Sequence, residues 1–277
     1  MPSVNITIAQ LAPYIANPSK NLEKISKAIK KASKENSDLI IFPELFLHGY
    51  YSKDLIYRLA ETKDGKNIKQ LIKLSSENNI SIITGFIERD EQYEVLYNSA
   101  IYITPDGDVE VYRKRHLPDF SVFNEARYFR RSQGKIKLWS IKGFRFGMMI
   151  CFDLFYPELS RAYTYLGAKG LITISATPDF SRPLFHVLLT ARAIENTVFT
   201  IWVNMVGTFN GVGFAGGSRV VEPLGQVLYD GPLIEEDLKT VTIDLNAIKV
   251  AREKRPVLRE LSTADLEILT KSYHLDI

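Results

Sequence analysis

The sequence predicts an α/β layered domain with a mixed sheet, and three patterns carry that expectation. Short strand-like runs alternate with helix-like ones through most of the chain. Several of those runs are apolar throughout, as strands buried on both faces are. The connection Thr104-Pro105-Asp106-Gly107-Asp108 has the composition of a hairpin turn, so the strands beside it are expected to run antiparallel.

Residues 4–10 read as the first strand. Residues 19–34 follow as an amphipathic helix, because Leu22, Ile25, Ile29 and Ala32 fall on one stripe and lysines fill the other. Lys27, Lys30, Lys31 and Lys34 on that helix read as a solvated face. Further strands are expected at residues 38–42, 80–87, 99–104, 144–150, 171–176, 198–203, 217–221 and 241–245. Helices at 157–166 and 183–195 each begin with proline, which suits a first turn because the missing N–H has no partner there. After residue 245 the chain changes character. Residues 249–259 are charged and broken by Pro256, and 262–273 can form a last helix, so an extended tail ending in a helix is expected over about 246–277. No linker or repeat interrupts the chain, and one domain over residues 1–277 is expected.

A chain of 277 residues with 45% apolar content can bury a large core. With 35 basic and 32 acidic residues it carries no polyanion-binding signature, so no nucleic-acid partner is expected. Cys151 is the single cysteine, which rules out an intrachain disulfide framework. Four scattered histidines without Cys-x-x-Cys or His-x-x-x-His spacing give no reason to expect a metal. The start Met1-Pro2-Ser3-Val4-Asn5-Ile6 lacks a basic segment followed by an apolar one, and no apolar run approaches the roughly 18 residues of a membrane span. A cytoplasmic protein without membrane attachment is expected.

Three distant segments each place one reactive group just beyond an expected strand: Glu44 in Phe42-Pro43-Glu44-Leu45, Lys114 in Tyr112-Arg113-Lys114-Arg115-His116, and Cys151 in Met149-Ile150-Cys151-Phe152-Asp153. Each alone has an ordinary reading, as a strand-end carboxylate, a basic loop and a buried small hydrophobe. Together they supply a thiol nucleophile, a carboxylate base and an ammonium that can favour the thiolate and carry the charge formed on an attacked carbonyl. Cys151 sits where a strand turns sharply toward a helix, a place that leaves backbone N–H groups free for an oxyanion. A serine-type triad would need a histidine base, and no histidine occupies a comparable strand end.

These segments identify a resemblance to the nitrilase superfamily, the carbon-nitrogen hydrolases. It spans nearly the whole chain and extends through Gly49-Tyr50, His116-Leu117-Pro118, Tyr156-Pro157-Glu158, Ala191-Arg192-Ala193-Ile194-Glu195-Asn196, Gly216-Gly217-Ser218 and Glu222-Pro223-Leu224-Gly225. The resemblance implies a four-layer α-β-β-α sandwich with mixed sheets, paired across its helical face into a homodimer or higher homo-oligomer. It implies Glu44 as general base, Cys151 as the nucleophile that forms a thioester, and Lys114 with the backbone N–H of Phe152 as oxyanion stabilisers. It implies no cofactor and no metal. Glu125, in Val122-Phe123-Asn124-Glu125-Ala126-Arg127, matches a second glutamate of the amidase and carbamoylase branches that orients the substrate nitrogen and holds the lysine.

Asp153 and Arg192 are expected to bond locally around the elbow, and Glu195 and Asn196 to tie their helix to the next strand. His116 and His186 are read as packed side chains outside the catalytic set. Tyr50, Tyr51, Phe120, Phe155 and Phe180 are candidate pocket walls. The leading functional expectation is hydrolysis of a small linear carboxylic amide with release of ammonia. An N-carbamoyl amidohydrolase comes second and a nitrilase third. The segment Gly49-Tyr50-Tyr51-Ser52-Lys53-Asp54-Leu55 is also similar to the glutaminase part of glutamine-dependent NAD synthetases, which leaves a glutaminase subunit open. A non-catalytic interaction subunit is the alternative of a different kind.

Overall fold

The structure, a computed structural model, describes residues 3–50, 52–260 and 262–273. In chain order the strands are β1 (Ser3–Gln10), β2 (Leu39–Ile41), β3 (Ser81–Arg89), β4 (Leu96–Ile103), β5 (Val109–Arg113), β6 (Trp139–Ile141), β7 (Phe144–Ile150), β8 (Gly170–Ser175), β9 (Phe199–Asn204), β10 (Val206–Phe209), β11 (Val212–Ala215), β12 (Arg219–Val221), β13 (Val227–Asp230) and β14 (Asp237–Asp244). The helices are α1 (Pro18–Lys34), α2 (Ile56–Leu59), α3 (Lys66–Asn78), α4 (Pro157–Tyr165), α5 (Arg182–Asn196), α6 (Asn246–Lys254) and α7 (Thr263–Tyr273).

Two six-stranded sheets form, in the orders β14-β1-β2-β3-β4-β5 and β13-β12-β9-β8-β7-β6. Each has three parallel strands at its centre, β1 to β3 and β7 to β9, with antiparallel neighbours outside. The period-two alternation of strand side chains sends neighbouring residues to opposite faces, both covered, which explains why the central runs are mostly apolar. In β2 to β4, Leu39, Ile41, Ile83, Ala100 and Tyr102 face the second sheet and share a core with Phe146, Met148, Ile172 and Ile201. Their neighbours Ile40, Ile82, Ile101 and Ile103 point the other way and pack under Ile25, Ile29, Ile68 and Leu71 of α1 and α3. Helices α4 and α5 cover the far side of the second sheet through Leu159, Tyr163, Phe185 and Leu189. The result is the expected four-layer α-β-β-α sandwich with mixed sheets.

The hairpin at Pro105 to Asp108 joins β4 to β5 antiparallel, with Gly107 at a positive φ of 90°. Lys27, Lys30, Lys31 and Lys34 of α1 are all exposed. Helix α3 was not expected from the sequence, because its fully buried stripe has just two apolar residues, Ile68 and Leu71, beside the polar Asn67 and Ser75. The short strands β6, β10, β11 and β13 were missed as well, each being three or four residues long. The expectation of an extended chain after residue 245 is corrected: residues 246–254 form α6, because Ile248 and Ala251, one turn apart, bury against the core beside Leu245. Among the described residues no helix is long and apolar enough to cross a membrane.

Candidate active site

Glu44 lies three residues past the end of β2, where the chain turns over β3. Phe42 still donates to the Ile83 carbonyl at 2.8 Å, and Gly85 donates to the Pro43 carbonyl at 3.1 Å. Leu45 takes a left-handed φ of 49°. A Cβ on Gly85 would stand 2.0 Å from the Leu45 nitrogen, so only glycine lets this turn lie against the strand. The Glu44 side chain is fully buried.

Lys114 follows β5 directly and extends its ladder, its N–H donating to the Asn98 carbonyl at 2.9 Å. Arg113, one position earlier, reaches across β4 and forks onto Glu88 of β3 at 2.7 and 2.8 Å. Glu125 opens a short 3-10 turn, Glu125–Arg127, and its N–H bonds the Pro118 carbonyl. The Lys114 ammonium then reaches two carboxylates at once, Glu44 Oε1 and Glu125 Oε1, each at 2.7 Å.

Both acids have further donors. The Asn98 amide gives one bond of 2.7 Å to Glu44 Oε1 and one of 3.3 Å to Glu125 Oε2. Glu44 Oε2 accepts the backbone N–H of Ala176 at 2.7 Å, and the Tyr50 hydroxyl donates to Glu125 Oε1 at 2.6 Å. Burial pushes the Glu125 carboxyl up to about 7, although Lys114 pulls it down, and the Glu44 charge adds to the rise. Burial works against the Lys114 ammonium, but the Glu125 and Glu44 charges outweigh it and hold the amine well above its ordinary range.

Cys151 begins the 3-10 turn Cys151–Phe155 at the end of β7, with a left-handed φ of 47°. A non-glycine residue held there is strained, as nucleophile-bearing elbows are. Asp153 fixes the turn: it accepts the Ile150 N–H at 3.1 Å, the Tyr112 hydroxyl at 2.8 Å, and the His116 backbone N–H at 3.0 Å. It therefore ties the segment carrying Lys114 to the elbow carrying Cys151. The backbone N–H of Phe152 belongs to the first turn, where donors lack intrahelical acceptors.

The Cys151 sulfur lies 3.6 Å from Thr177 Oγ1, and the charges of Glu44, Lys114 and Glu125 all act on it. Burial and then Glu44 push the thiol well above its usual range, and the opposing pull of Lys114 is smaller. Lys114 does pull toward the thiolate, as expected, but its one ammonium already serves two carboxylates, and burial and the Glu44 charge outweigh that pull.

Arg192 donates to the Leu154 and Phe155 carbonyls behind the elbow, as expected. Glu195 and Asn196 do not tie α5 to the next strand; they bond to Arg192 within their own helix. His116 stacks on Tyr156 and bonds Asp153 at 2.8 Å, and His186 bonds the Gly217 carbonyl. Tyr50 is bonded to Glu125 rather than being a plain wall, the Phe120 ring lies 5.3 Å from that of Phe152, Phe155 packs on both Phe152 and Phe185, and Phe180 is mostly exposed. Tyr51 lies outside the described residues.

Asn98, Thr177 and Gly85 were missed in the sequence. A signal existed for Asn98, since an amide inside the apolar strand 96–103 must find partners. Among the described residues no group of three or more His, Cys, Asp or Glu side chains is placed to hold a metal ion.

A model of the carbon-nitrogen hydrolase family matches residues 5–253. The chain is 31% identical over 252 residues to a nitrilase of Pyrococcus abyssi, covering 90% of this chain and 93% of that one. It is 32% identical over 260 residues to an (R)-stereoselective amidase of a Pseudomonas species, covering 93% and 91%. A carbon-nitrogen hydrolase from Helicobacter pylori G27 shares the fold with a TM-score of 0.89 and 24% identity, over 97% of this chain and 98% of the other.

Proposed function

Because the chain belongs to the carbon-nitrogen hydrolase family, we propose that it hydrolyses a small linear carboxylic amide through a thioester on Cys151 and releases ammonia. The observation that carries this reading is the pair of buried carboxylates, Glu44 and Glu125, sharing the Lys114 ammonium beside a single thiol.

In this mechanism the Cys151 sulfur attacks the amide carbon while its proton passes to the Glu44 carboxylate. The carbonyl oxygen becomes an oxyanion that the Phe152 N–H and the third N–H of Lys114 stabilise, the other two being given to Glu44 and Glu125. The carbon–nitrogen bond then breaks as Glu44 returns the proton to the departing nitrogen, leaving ammonia and the thioester. A water molecule, deprotonated by Glu44, attacks the thioester carbon and expels the sulfur, which recovers the proton; the product is the carboxylic acid. The thiol's reluctance to ionise alone suits a step in which base and nucleophile act together.

An amide nitrogen brings two N–H donors, and two neighbouring carboxylates are acceptors for such a group. A nitrile nitrogen brings none. That supports an amide over a nitrile but fits an N-carbamoyl compound equally, since it also ends in an NH2 group; this is the second reading. Burial of Glu44, Lys114, Glu125 and Cys151 supports a small acyl group. The exposed apolar side chains Leu184, Val187 and Ile194 of α5 support pairing through that helical face, and the lone thiol supports a reducing, cytoplasmic setting.

The test is ammonia and carbon dioxide release from a panel of small amides, glutamine, N-carbamoyl amino acids and nitriles. Ammonia alone from an amide is the expected result. Ammonia with carbon dioxide would transfer the assignment to the carbamoyl reading, and turnover confined to nitriles would contradict both.

A further inference from the structure

Asn98 is 1% exposed and sits in β4, on the side of the sheet where Glu44, Lys114 and Glu125 meet. Its Nδ2 spans the two carboxylates, while its Oδ1 is buried without a hydrogen-bond partner among the described residues. The amide orientation follows from its neighbours, because the opposite one would aim a carbonyl oxygen at two carboxylates. An orphaned buried acceptor carries a desolvation cost. The site accepts that cost and in return has a neutral donor placed between two acids that share one lysine.

The two oxygens of Glu44 differ in the donors they accept. Oε1 accepts from both Lys114 and Asn98, which fills its two lone-pair directions. Among the described residues Oε2 accepts only the Ala176 N–H, which leaves one lone pair open on that oxygen. At Glu125 the Asn98 bond is the longer one, 3.3 against 2.7 Å. Asn98 therefore supports the charged form of Glu44 more than that of Glu125.

We propose that Asn98 is a positioning residue that makes Glu44, through Oε2, the proton acceptor of the site and leaves Glu125 as the acid that carries a proton more readily. The proposal rests on the reading of Glu44 as general base toward Cys151. It accords with the upward push on Glu125. The other titratable groups facing this pair are the Lys114 ammonium, the Cys151 thiol and the Tyr50 hydroxyl.

Cys151 is the only cysteine, so alkylation by iodoacetamide, followed by intact mass across pH, reads this thiol alone. In the wild type the rate should fall on the acid side as Glu44 takes up a proton. Asn98→Leu removes the donor at similar volume, and loss of a hydrogen bond to a charged group should move that acid limb up by about 1 to 2 pH units. Asn98→Asp, isosteric and able to add a third carboxylate, should move it at least as far, and it keeps the test available should Asn98→Leu not fold. Turnover of the best amide should lose about 10- to 100-fold in kcat in either variant with little change in KM.

A folded variant whose limb stays at the wild-type pH would overturn the role of Asn98 alone. A wild-type thiol unreactive at every pH would overturn both this role and the proposed mechanism. A limb that moves in a protein that hydrolyses no amide would uphold Asn98 and overturn only the substrate class.

Discussion

Glu44, carried by the first sheet, accepts the backbone N–H of Ala176, carried by the end of β8 in the second sheet, at 2.7 Å. A side chain from one layer is thus oriented by the backbone of the other, next to Thr177, whose hydroxyl lies by the Cys151 sulfur. Asp153 makes the reverse tie, from the elbow of the second sheet to residues 112–116 of the first. The two ties fix carboxylate, ammonium and thiol relative to one another on rigid elements, as a preorganised site requires.

Glu44→Gln keeps the shape and removes the proposed base. Steady-state kinetics should show kcat reduced about 10²- to 10⁴-fold, the range for loss of a general base, with less change in KM. Wild-type kcat would reassign Glu44 to a structural role.

Lys114→Met leaves two buried carboxylates without their common cation. Urea unfolding at neutral pH should show a loss of about 3 to 5 kcal/mol, the usual result of breaking a buried ion pair from one side. The loss should shrink at low pH, where protonation of Glu44 and Glu125 removes the uncompensated charge. Any folded fraction should have lost transition-state stabilisation worth about 3 to 4 kcal/mol, as when an oxyanion donor is removed.

Glu125 gives the stability a pH dependence of known sign. Its folded carboxyl is raised to about 7 from an ordinary 4.5, so between those values the folded state binds more protons than the unfolded one. The stability this contributes is fully present below about pH 4.5 and is lost as pH rises through 7. Thermal melts of wild type and Glu125→Gln from pH 4.5 to 8 should therefore differ in slope, the variant losing this component of decline. Parallel curves would mean that Glu125 is not raised.

Gly85→Ala tests the turn rather than the chemistry. The new Cβ meets Leu45 backbone at 2.0 Å, which no side-chain rotation relieves. The expected outcome is a loss of about 3 kcal/mol or more in denaturant unfolding, together with lost turnover because Glu44 moves with the turn. An unperturbed protein would show that the close approach is not maintained.

The layered fold was legible because central parallel strands such as 39–41 and 171–175 are buried on both faces and mostly apolar. Glu44, Lys114, Glu125 and Cys151 were legible because reactive residues stood in family-like motifs at strand ends or, for Glu125, in a loop. What stayed hidden depends on pairs distant in sequence. Asn98 matters through Glu44, 54 positions away, and Gly85 through the backbone of Leu45. The upward push on the Cys151 thiol was hidden too, since its causes are burial and then the Glu44 charge, which outweigh Lys114. Helix α6 was obscured by its charges, two small contacts at Ile248 and Ala251 deciding its place.

Covalent catalysis at Cys151 is tested most directly by turnover of Cys151→Ala, measured as ammonia release on the amide that the wild type hydrolyses best. No turnover above background is expected from a variant that folds and melts within a few degrees of wild type, because one small side chain is removed. Ammonia release near the wild-type rate would contradict covalent catalysis at Cys151.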